Sequence, residues 1–257
     1  MIVRQVSHAL DLFEFFAERK KPASLAEIAQ HFGWPRSSAY NIISTLTGRG
    51  FLFEPEGRGR FYPTGRWFAL GQECLAGLPL PEAVAKLARE LADQSGETVT
   101  LATPSGQHLV FVDVAASSLS VRYNAEVGGR IPIHVSGSGQ ALLSLMSPTQ
   151  VAAVLRKAEF ERYGTGSPLS IAEVERRIAD GLRRGWFESR SNFSVGLNGV
   201  SLPLALDGRL LALTVAGPAF RLEQNMAQIA RDMHRLVARH LGADFLQATS
   251  PDLHPLI

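Results

Sequence analysis

Residues 24–48 read SLAEIAQHFGWPRSSAYNIISTLTG, and this stretch decides the fold of the first part of the chain. Ser24 and Glu27 have the spacing of a capping box, in which each side chain accepts a hydrogen bond from the backbone amide of the other residue. Gly33 can end the helix in the left-handed conformation, and Pro35 suits the first turn of the next helix. The stretch therefore predicts two helices joined by a tight turn, which is a helix-turn-helix.

The segments on both sides extend this unit. Apolar residues at spacings of three and four predict a helix over residues 5–18. Two short strand-like runs, residues 51–53 and 60–62, flank a segment with glycines and a proline that suits the tip of a hairpin, or wing. The inward face predicted for the first helix consists of Val6, Ala9, Leu10, Phe13, Phe16 and Ala17.

The rest of the chain begins after a breaker cluster, GLPLP, at residues 77–81. Beyond it, strand patterns over residues 98–103, 108–114, 200–206 and 210–216 alternate with helical patterns, which indicates an α+β fold. We therefore predict three parts: a winged helix-turn-helix over residues 1–65, a linker helix over 66–80 and an α+β domain over 81–257.

Composition narrows the class of protein. The 257 residues are 46% hydrophobic and 19% charged, as in an ordinary folded protein with an ample core. Cys74 is the only cysteine, which excludes an intrachain disulfide. The chain shows no signal-peptide pattern and no apolar stretch of about 18 residues, so we expect a cytoplasmic protein without a membrane span.

Positive charge is concentrated near the N-terminus. Residues 1–72 contain nine lysines and arginines against six acidic residues, a net charge of +3, whereas the whole chain carries +2. Such a local excess favours a nucleic-acid partner. We predict that double-stranded DNA is contacted by outward residues of the second helix of the motif and of the wing, namely Arg36, Ser37, Ser38, Tyr40, Asn41, Ser44, Arg58 and Arg60.

Several segments carry a resemblance to a known family. VSHALDLF at 6–13, SLAEIA at 24–29, PRSSAY at 35–40 and YPTG at 62–65 resemble the winged-helix domain of IclR-type (isocitrate lyase regulator) bacterial transcription factors. GRIPIHVSGSGQA at 129–141 and the segment 185–196, which begins with GWF, resemble the effector domain of that family. The resemblance implies a GAF-like small-molecule domain, homodimers or homotetramers, and affinity for operator DNA that a metabolite changes.

The same resemblance places an effector site in the second domain. Residues 134–139, HVSGSG, lead from a strand into a helix, where free amides can hold an anion; the alternative is a tight turn without a ligand. The chain departs from the family pattern at Gln140, where lysine is usual, and at 189–192, where acids are common. We therefore expect a less negative site than is usual in the family. Because Arg190 is present and acids are absent, we expect an anionic effector, an aromatic or other small carboxylic acid. The predicted site residues are Arg122, His134, Ser136, Gly137, Ser189, Arg190, Asn192, Asn198 and Ser201.

Three aromatic residues, Trp186, Phe187 and Phe193, either form the wall of the effector site or belong to the core.

Two other classes of protein stay open. An enzyme needs a positioned nucleophile, and residues 136–139, SGSG, lack the glycine at position 136 that a nucleophile elbow requires. The seven histidines show no spacing typical of metal ligands. We therefore expect no catalytic residues, no metal and no cofactor. The second alternative is a DNA-binding regulator without any effector.

Overall fold

The computed structural model describes residues 3–55, 57 and 59–256. The chain divides into two compact units, Met1–Pro79 and Leu80–Ile257, and each unit has its own hydrophobic core. Within the described residues, no helix is both long and apolar enough to cross a membrane.

The N-terminal unit combines a helix-turn-helix with a small antiparallel sheet in the order β1-β3-β2, whose first strand precedes the motif. In chain order its elements are α1 (Arg4–Arg19), β1 (Ala23–Ser24), α2 (Leu25–Phe32), α3 (Arg36–Gly48), β2 (Leu52–Phe53), β3 (Arg60–Pro63) and α4 (Arg66–Ala76).

The local signals of residues 24–48 are confirmed. The Ser24 hydroxyl accepts a hydrogen bond from the Glu27 amide at 3.3 Å, and the Glu27 carboxylate accepts one from the Ser24 amide at 2.8 Å. Gly33 ends α2 with φ of 65°, a left-handed conformation that glycine adopts without strain. The wing hairpin also forms, because β2 and β3 pair in antiparallel register.

The inward face predicted for α1 is partly wrong. Val6 and Leu10 are 59% and 55% exposed, whereas Leu12, Phe15 and Phe16 are buried. Apolar residues occupy more of this helix than one face can hold, so the spacing alone does not identify the face that packs. The sequence also did not predict β1, since a strand of two residues carries no alternation.

The C-terminal unit is an α+β domain, as predicted. Its single six-stranded sheet has the order β6-β5-β4-β9-β8-β7, and all neighbouring strands are antiparallel. In chain order the elements are α5 (Glu82–Ser95), β4 (Thr98–Ser105), β5 (His108–Ala115), β6 (Arg130–Pro132), α6 (Gly137–Ser144), α7 (Pro148–Leu155), α8 (Ile171–Arg184), β7 (Phe187–Arg190), β8 (Leu197–Leu206), β9 (Arg209–Pro218), α9 (Ala219–Leu222), α10 (Met226–Leu241) and α11 (Phe245–Thr249).

Two glycines let the start of α6 approach its neighbours closely. A Cβ atom on Gly137 would lie 2.8 Å from the carbonyl carbon of Glu188 in β7, and a Cβ atom on Gly139 would overlap the carbonyl group of Ile133. Ser136 caps the helix, because its hydroxyl accepts a hydrogen bond from the Gly139 amide. The first turn of α6 is therefore pressed against the sheet edge formed by β7.

Candidate functional site

Helix α3 separates its apolar and polar residues cleanly. Ala39, Ile43 and Leu46 are buried against the rest of the N-terminal unit. On the opposite side lie the residues predicted to contact DNA: Arg36, Ser37, Tyr40, Asn41 and Ser44 are exposed, and Ser38 is half-buried. The helix therefore offers hydrogen-bonding groups on one continuous face, as a helix that enters the major groove must.

Of the two arginines predicted in the wing, only Arg60 lies within the described residues, and Arg58 lies outside them. Arg60 is half-buried, donates a hydrogen bond to the carbonyl oxygen of Pro22 at 2.9 Å and forms an ion pair with Glu27 at 3.2 Å. The Arg60 guanidinium thus fastens β3 to the start of α2, and a contact of Arg60 with DNA stays a prediction.

Glu27 is the centre of this local network. Its carboxylate accepts hydrogen bonds from the backbone amide and hydroxyl of Ser24 and is paired with Arg19 and Arg60. These interactions favour the ionised form, the bonds from Ser24 most of all, and lower the pKa of Glu27 to about 2. An ionised Glu27 therefore joins α1, α2 and the wing at neutral pH.

The C-terminal unit contains a pocket, here called the inner pocket, between the start of α6 and the sheet. Five of the predicted effector residues line it: Ser136, Gly137, Ser189, Asn198 and Ser201. The other lining residues, which the sequence analysis did not single out except for Phe193, are Thr100, Phe111, Tyr123, Ile131, Ser138, Phe193, Leu197, Gly199, Thr214 and Ala216.

Hydroxyl groups form two separate pairs in the inner pocket. The hydroxyls of Ser136 and Ser138 are 2.9 Å apart at the start of α6. The hydroxyls of Ser201 on β8 and Thr214 on β9 are also 2.9 Å apart, on neighbouring strands in register. The pocket can therefore offer hydrogen bonds both at the helix terminus and on the sheet.

Aromatic side chains provide much of the remaining wall. Phe111, Tyr123 and Phe193 line the inner pocket, and burial raises the pKa of the Tyr123 hydroxyl above its usual value. By contrast, Phe187 is fully buried and Trp186 nearly so, both within the hydrophobic core. The sequence left open whether Trp186, Phe187 and Phe193 form the wall of the effector site or the core. In the structure Phe193 lines the inner pocket, and Trp186 and Phe187 belong to the core.

Four predicted effector residues do not lie in the inner pocket. Arg122 is exposed and donates a hydrogen bond to the carbonyl oxygen of Leu119. His134 is buried beside Phe160, at 4.8 Å between ring centroids, and burial lowers its pKa. Asn192 donates to the carbonyl oxygen of Val135. The fourth residue, Arg190, bears directly on the charge of the proposed ligand.

Arg190 does not provide a positive charge to the inner pocket. Its guanidinium donates to the carboxylate of Glu188 at 3.1 Å and lines a different pocket. Residues 188 and 190 alternate with Ser189 along β7, so their side chains point to the other side of the strand. A negative charge also lies in this segment, which the expectation of a less negative site did not consider.

Comparisons with known proteins agree with this geometry. The family model described as "IclR helix-turn-helix domain" matches residues 5–54, and that described as "Bacterial transcriptional regulator IclR C-terminal" matches residues 72–242. The acetate operon repressor of Salmonella typhimurium is 28% identical over 224 residues, which cover 86% of this chain and 82% of the relative. The transcriptional repressor IclR of Escherichia coli is 26% identical over the same shares.

Solved structures show the same fold. An IclR homologue from Microbacterium hydrocarbonoxydans, crystallised in complex with 4-hydroxybenzoate, superimposes with a TM-score of 0.74 at 21% identity. The alignment covers 93% of this chain and 98% of that chain.

Proposed function

The chain belongs to the IclR family of bacterial transcriptional regulators, and from this premise we propose that it represses transcription at an operator that α3 recognises. We propose further that a small carboxylic acid, bound in the inner pocket, changes the affinity for that operator. Repression rests on the two curated relatives, both of which are named repressors.

The polar face of α3 supports the assignment of the DNA-reading residues. Arginine can form two hydrogen bonds with guanine and asparagine two with adenine, which makes Arg36 and Asn41 the candidates for reading bases. Ser37, Ser38, Tyr40 and Ser44 suit contacts with phosphates, as does Arg58 in the wing. Arg60 contributes through its position beside Glu27, which holds the wing against α2.

The start of α6 is the single observation that carries the carboxylate proposal. The amides of Gly137 and Ser138 belong to the first turn, where backbone N–H groups have no partner within the helix and carry a partial positive charge. The Ser136 and Ser138 hydroxyls lie at the same place. A carboxylate bound there would receive several hydrogen bonds without any arginine.

The walls of the pocket favour an aromatic acid. Phe111, Tyr123 and Phe193 could enclose a ring, and the Ser201–Thr214 hydroxyl pair could bond a polar group on it. The cavity measures only about 40 Å³, so an aromatic ligand requires a movement of wall side chains such as Phe193. The 4-hydroxybenzoate complex of a structural relative agrees with this class of ligand.

Exposed apolar residues support a homodimer. Val3, which precedes α1, and Val6 and Leu10 within it are exposed apolar residues, and Phe68 and Leu75 of α4 are 71% and 69% exposed. We propose that these surfaces pair in a dimer, with residues 66–80 as the linker between DNA-binding and effector domains. The effector would then act by linkage: if it binds one arrangement of the dimer more tightly, it shifts the population towards that arrangement and changes operator affinity. Operator DNA must then change the affinity for the effector by the same factor.

The pocket is proposed to bind its ligand without chemical conversion. The Ser136 hydroxyl bonds Ser138 and caps α6, and no histidine among the described residues forms a hydrogen bond with it. Without a general base, a serine hydroxyl is a weak nucleophile.

Operator binding in the presence of ligands tests the proposal. Fluorescence anisotropy with DNA from upstream of the regulated gene should show that 4-hydroxybenzoate changes operator affinity, whereas its neutral amide does not. Ser136→Ala should weaken this response about fivefold through the loss of hydrogen bonds and leave the affinity without ligand unchanged. If a broad series of carboxylic acids leaves operator affinity unmoved, the chain is a regulator without an effector of this class.

A further inference from the structure

A second pocket, here called the outer pocket, lies on the other side of two elements that line the inner pocket. On β7, Ser189 points into the inner pocket, whereas Glu188 and Arg190 line the outer pocket. On α6, Gly137 and Ser138 line the inner pocket, whereas Gln140 lines the outer pocket. The cavity is about 250 Å³ in volume, and its charged and amide side chains include Gln140, Arg177, Asp180, Arg184, Glu188 and Arg190.

Gln140 is the unusual member of this group. Its side chain is only 2% exposed, and its Nε2 atom has no hydrogen-bond partner among the described residues. A buried NH₂ group without an acceptor lowers the stability of a fold, so such groups are normally satisfied. The Gln140 amide borders the outer pocket and can therefore donate to an acceptor placed inside it.

The lining of this pocket has more guanidinium groups than carboxylates. Three arginines and two carboxylates line it, and one of these carboxylates, Glu188, pairs with both Arg184, at 3.0 Å, and Arg190, at 3.1 Å. Arg190 also lies 4.0 Å from the carboxylate of Glu223, outside the pocket lining. Arg177 is already held by Glu173 and by the carbonyl oxygen of Gly166. Burial, above all, and the charge of Arg190 lower the pKa of Arg184, whereas the charges of Glu188 and Asp180 act in the opposite direction.

We propose that the outer pocket is a second ligand site, which binds a small oxyanion, either a phosphate or a carboxylate. The Gln140 Nε2 group and the guanidiniums of Arg184 and Arg190 donate to its oxygens. Arginine and amide donors can bind the several acceptor oxygens of such anions, since a guanidinium donates two parallel hydrogen bonds to a pair of oxygens. Because both pockets share α6 and β7, an anion in the outer pocket stiffens the elements that form the inner one. The site itself does not depend on what the inner pocket binds.

Calorimetric titration of the full chain with inorganic phosphate and, separately, with malonate tests this site at constant ionic strength. Gln140→Leu removes the NH₂ group and leaves a somewhat shorter apolar side chain, and Arg190→Gln removes an exposed charge. We expect each substitution to weaken anion binding about tenfold through the loss of a charge-assisted or buried hydrogen bond. The anion that binds more tightly identifies the chemical class of the ligand.

Two control variants locate the binding. Arg36→Ala removes an arginine of α3 and tests whether phosphate binds to the predicted DNA surface, and Ser136→Ala tests the inner pocket. Both should leave anion affinity within about twofold of the unmodified protein. Failure of the proposed effector function would not affect this result, because that function is measured through Ser136→Ala and operator DNA.

Three outcomes would overturn the proposal. The first is the absence of binding heat with both anions at millimolar concentration. The second is a loss of binding in Arg36→Ala or Ser136→Ala that equals the loss in Arg190→Gln. The third is a Gln140→Leu protein with a raised melting temperature and unchanged anion affinity, because Gln140 would then be only an unsatisfied buried amide. A raised or unchanged melting temperature together with lost binding supports the site and excludes unfolding as the cause.

Discussion

Helix α3 and the inner pocket are built in opposite ways. The candidate DNA contacts of α3 lie on one element of 13 residues and point outward, away from a buried stripe. The lining of the inner pocket comes from all six strands of the sheet, from the start of α6 and from two connecting segments, and it extends from Thr100 to Ala216. A site on one helix depends on the helical repeat alone, whereas an assembled site depends on the packing of the whole unit. Substitutions that disturb packing should therefore damage only the second.

The largest expected effect is a loss of stability from a substitution at the tightest backbone contact of the inner pocket region, between Gly139 and Ile133. Gly139→Ala places a Cβ atom on the carbonyl group of Ile133, and α6 cannot move away without leaving the sheet. We expect the free energy of unfolding to fall by at least about 3 kcal/mol, since overpacking against backbone has no flexible neighbour to relieve it. Denaturant titration followed by circular dichroism measures the change.

A second glycine provides the matched control. Gly71 lies within α4, and a Cβ atom there meets nothing within 4 Å. Gly71→Ala should raise helix stability by about 1 kcal/mol, because alanine is the better helix former. Equal losses in the two variants would mean that the close approach of α6 is not what limits substitution.

The ion pair of the buried Glu97 carboxylate with Arg221 tests, in a different part of the C-terminal unit, how far stability depends on contacts between distant residues. Glu97 is only 3% exposed and accepts hydrogen bonds from Arg221 at 2.6 Å and 2.9 Å. Arg221→Met leaves this carboxylate buried without its partner, so unfolding should become easier by about 2 to 3 kcal/mol. Thermal unfolding provides the measurement.

The exposed pair Lys86–Glu82, at 2.8 Å, is the control for that experiment. Lys86→Met should leave the free energy of unfolding nearly unchanged, since solvent screens an exposed pair. If Lys86→Met lowered the stability as much as Arg221→Met, burial of the carboxylate would not explain the effect of Arg221→Met.

The site on α3 should lose function without losing stability. Arg36→Ala is expected to weaken operator binding by about 1 to 3 kcal/mol if Arg36 contacts a base edge, with the melting temperature unchanged. Arg156→Ala removes the same charge from an exposed position in the C-terminal unit and serves as the control. Binding to operator and to random DNA is measured by anisotropy; an equal loss on both DNAs would assign Arg36 to phosphate contacts.

The smallest effect concerns the network that positions the wing. Glu27→Gln removes the charge paired with Arg19 and Arg60 and should cost about 1 kcal/mol of stability at neutral pH, because the groups are partly exposed. The pKa of Glu27 is lowered to about 2 in the folded protein. Its contribution is therefore complete above the unfolded pKa of 4.5 and is lost as the pH falls towards 2.

The free energies of unfolding of Glu27→Gln and of the unmodified protein are measured at pH 7, 5 and 3. We expect the difference between the two proteins to become smaller as the pH falls. Glu14→Gln, an exposed position on α1, controls for a general effect of charge. A difference that stays constant down to pH 3 would contradict an ionic role for Glu27.

The sequence by itself determined the elements whose signals are local. The capping box of Ser24 and Glu27, the left-handed turn at Gly33 and the wing hairpin follow from neighbouring residues, and so does the α+β pattern of the second unit. The outward face of α3 is also specified by local sequence, because the apolar residues Ala39, Ile43 and Leu46 define the opposite side of the helix. Residues within a few positions of one another are enough to specify such features.

Only the tertiary structure decided which distant residues meet. It buried Leu12 and Phe15 rather than Val6 and Leu10, and it engaged Arg60 with Glu27. In the C-terminal unit it separated Arg190 from Ser189 into different pockets, and it brought Thr100, Tyr123 and Thr214 to the inner pocket without a signal in their own segments. Strand order and the packing of helices on a sheet depend on contacts between residues far apart in the chain, which no local pattern encodes.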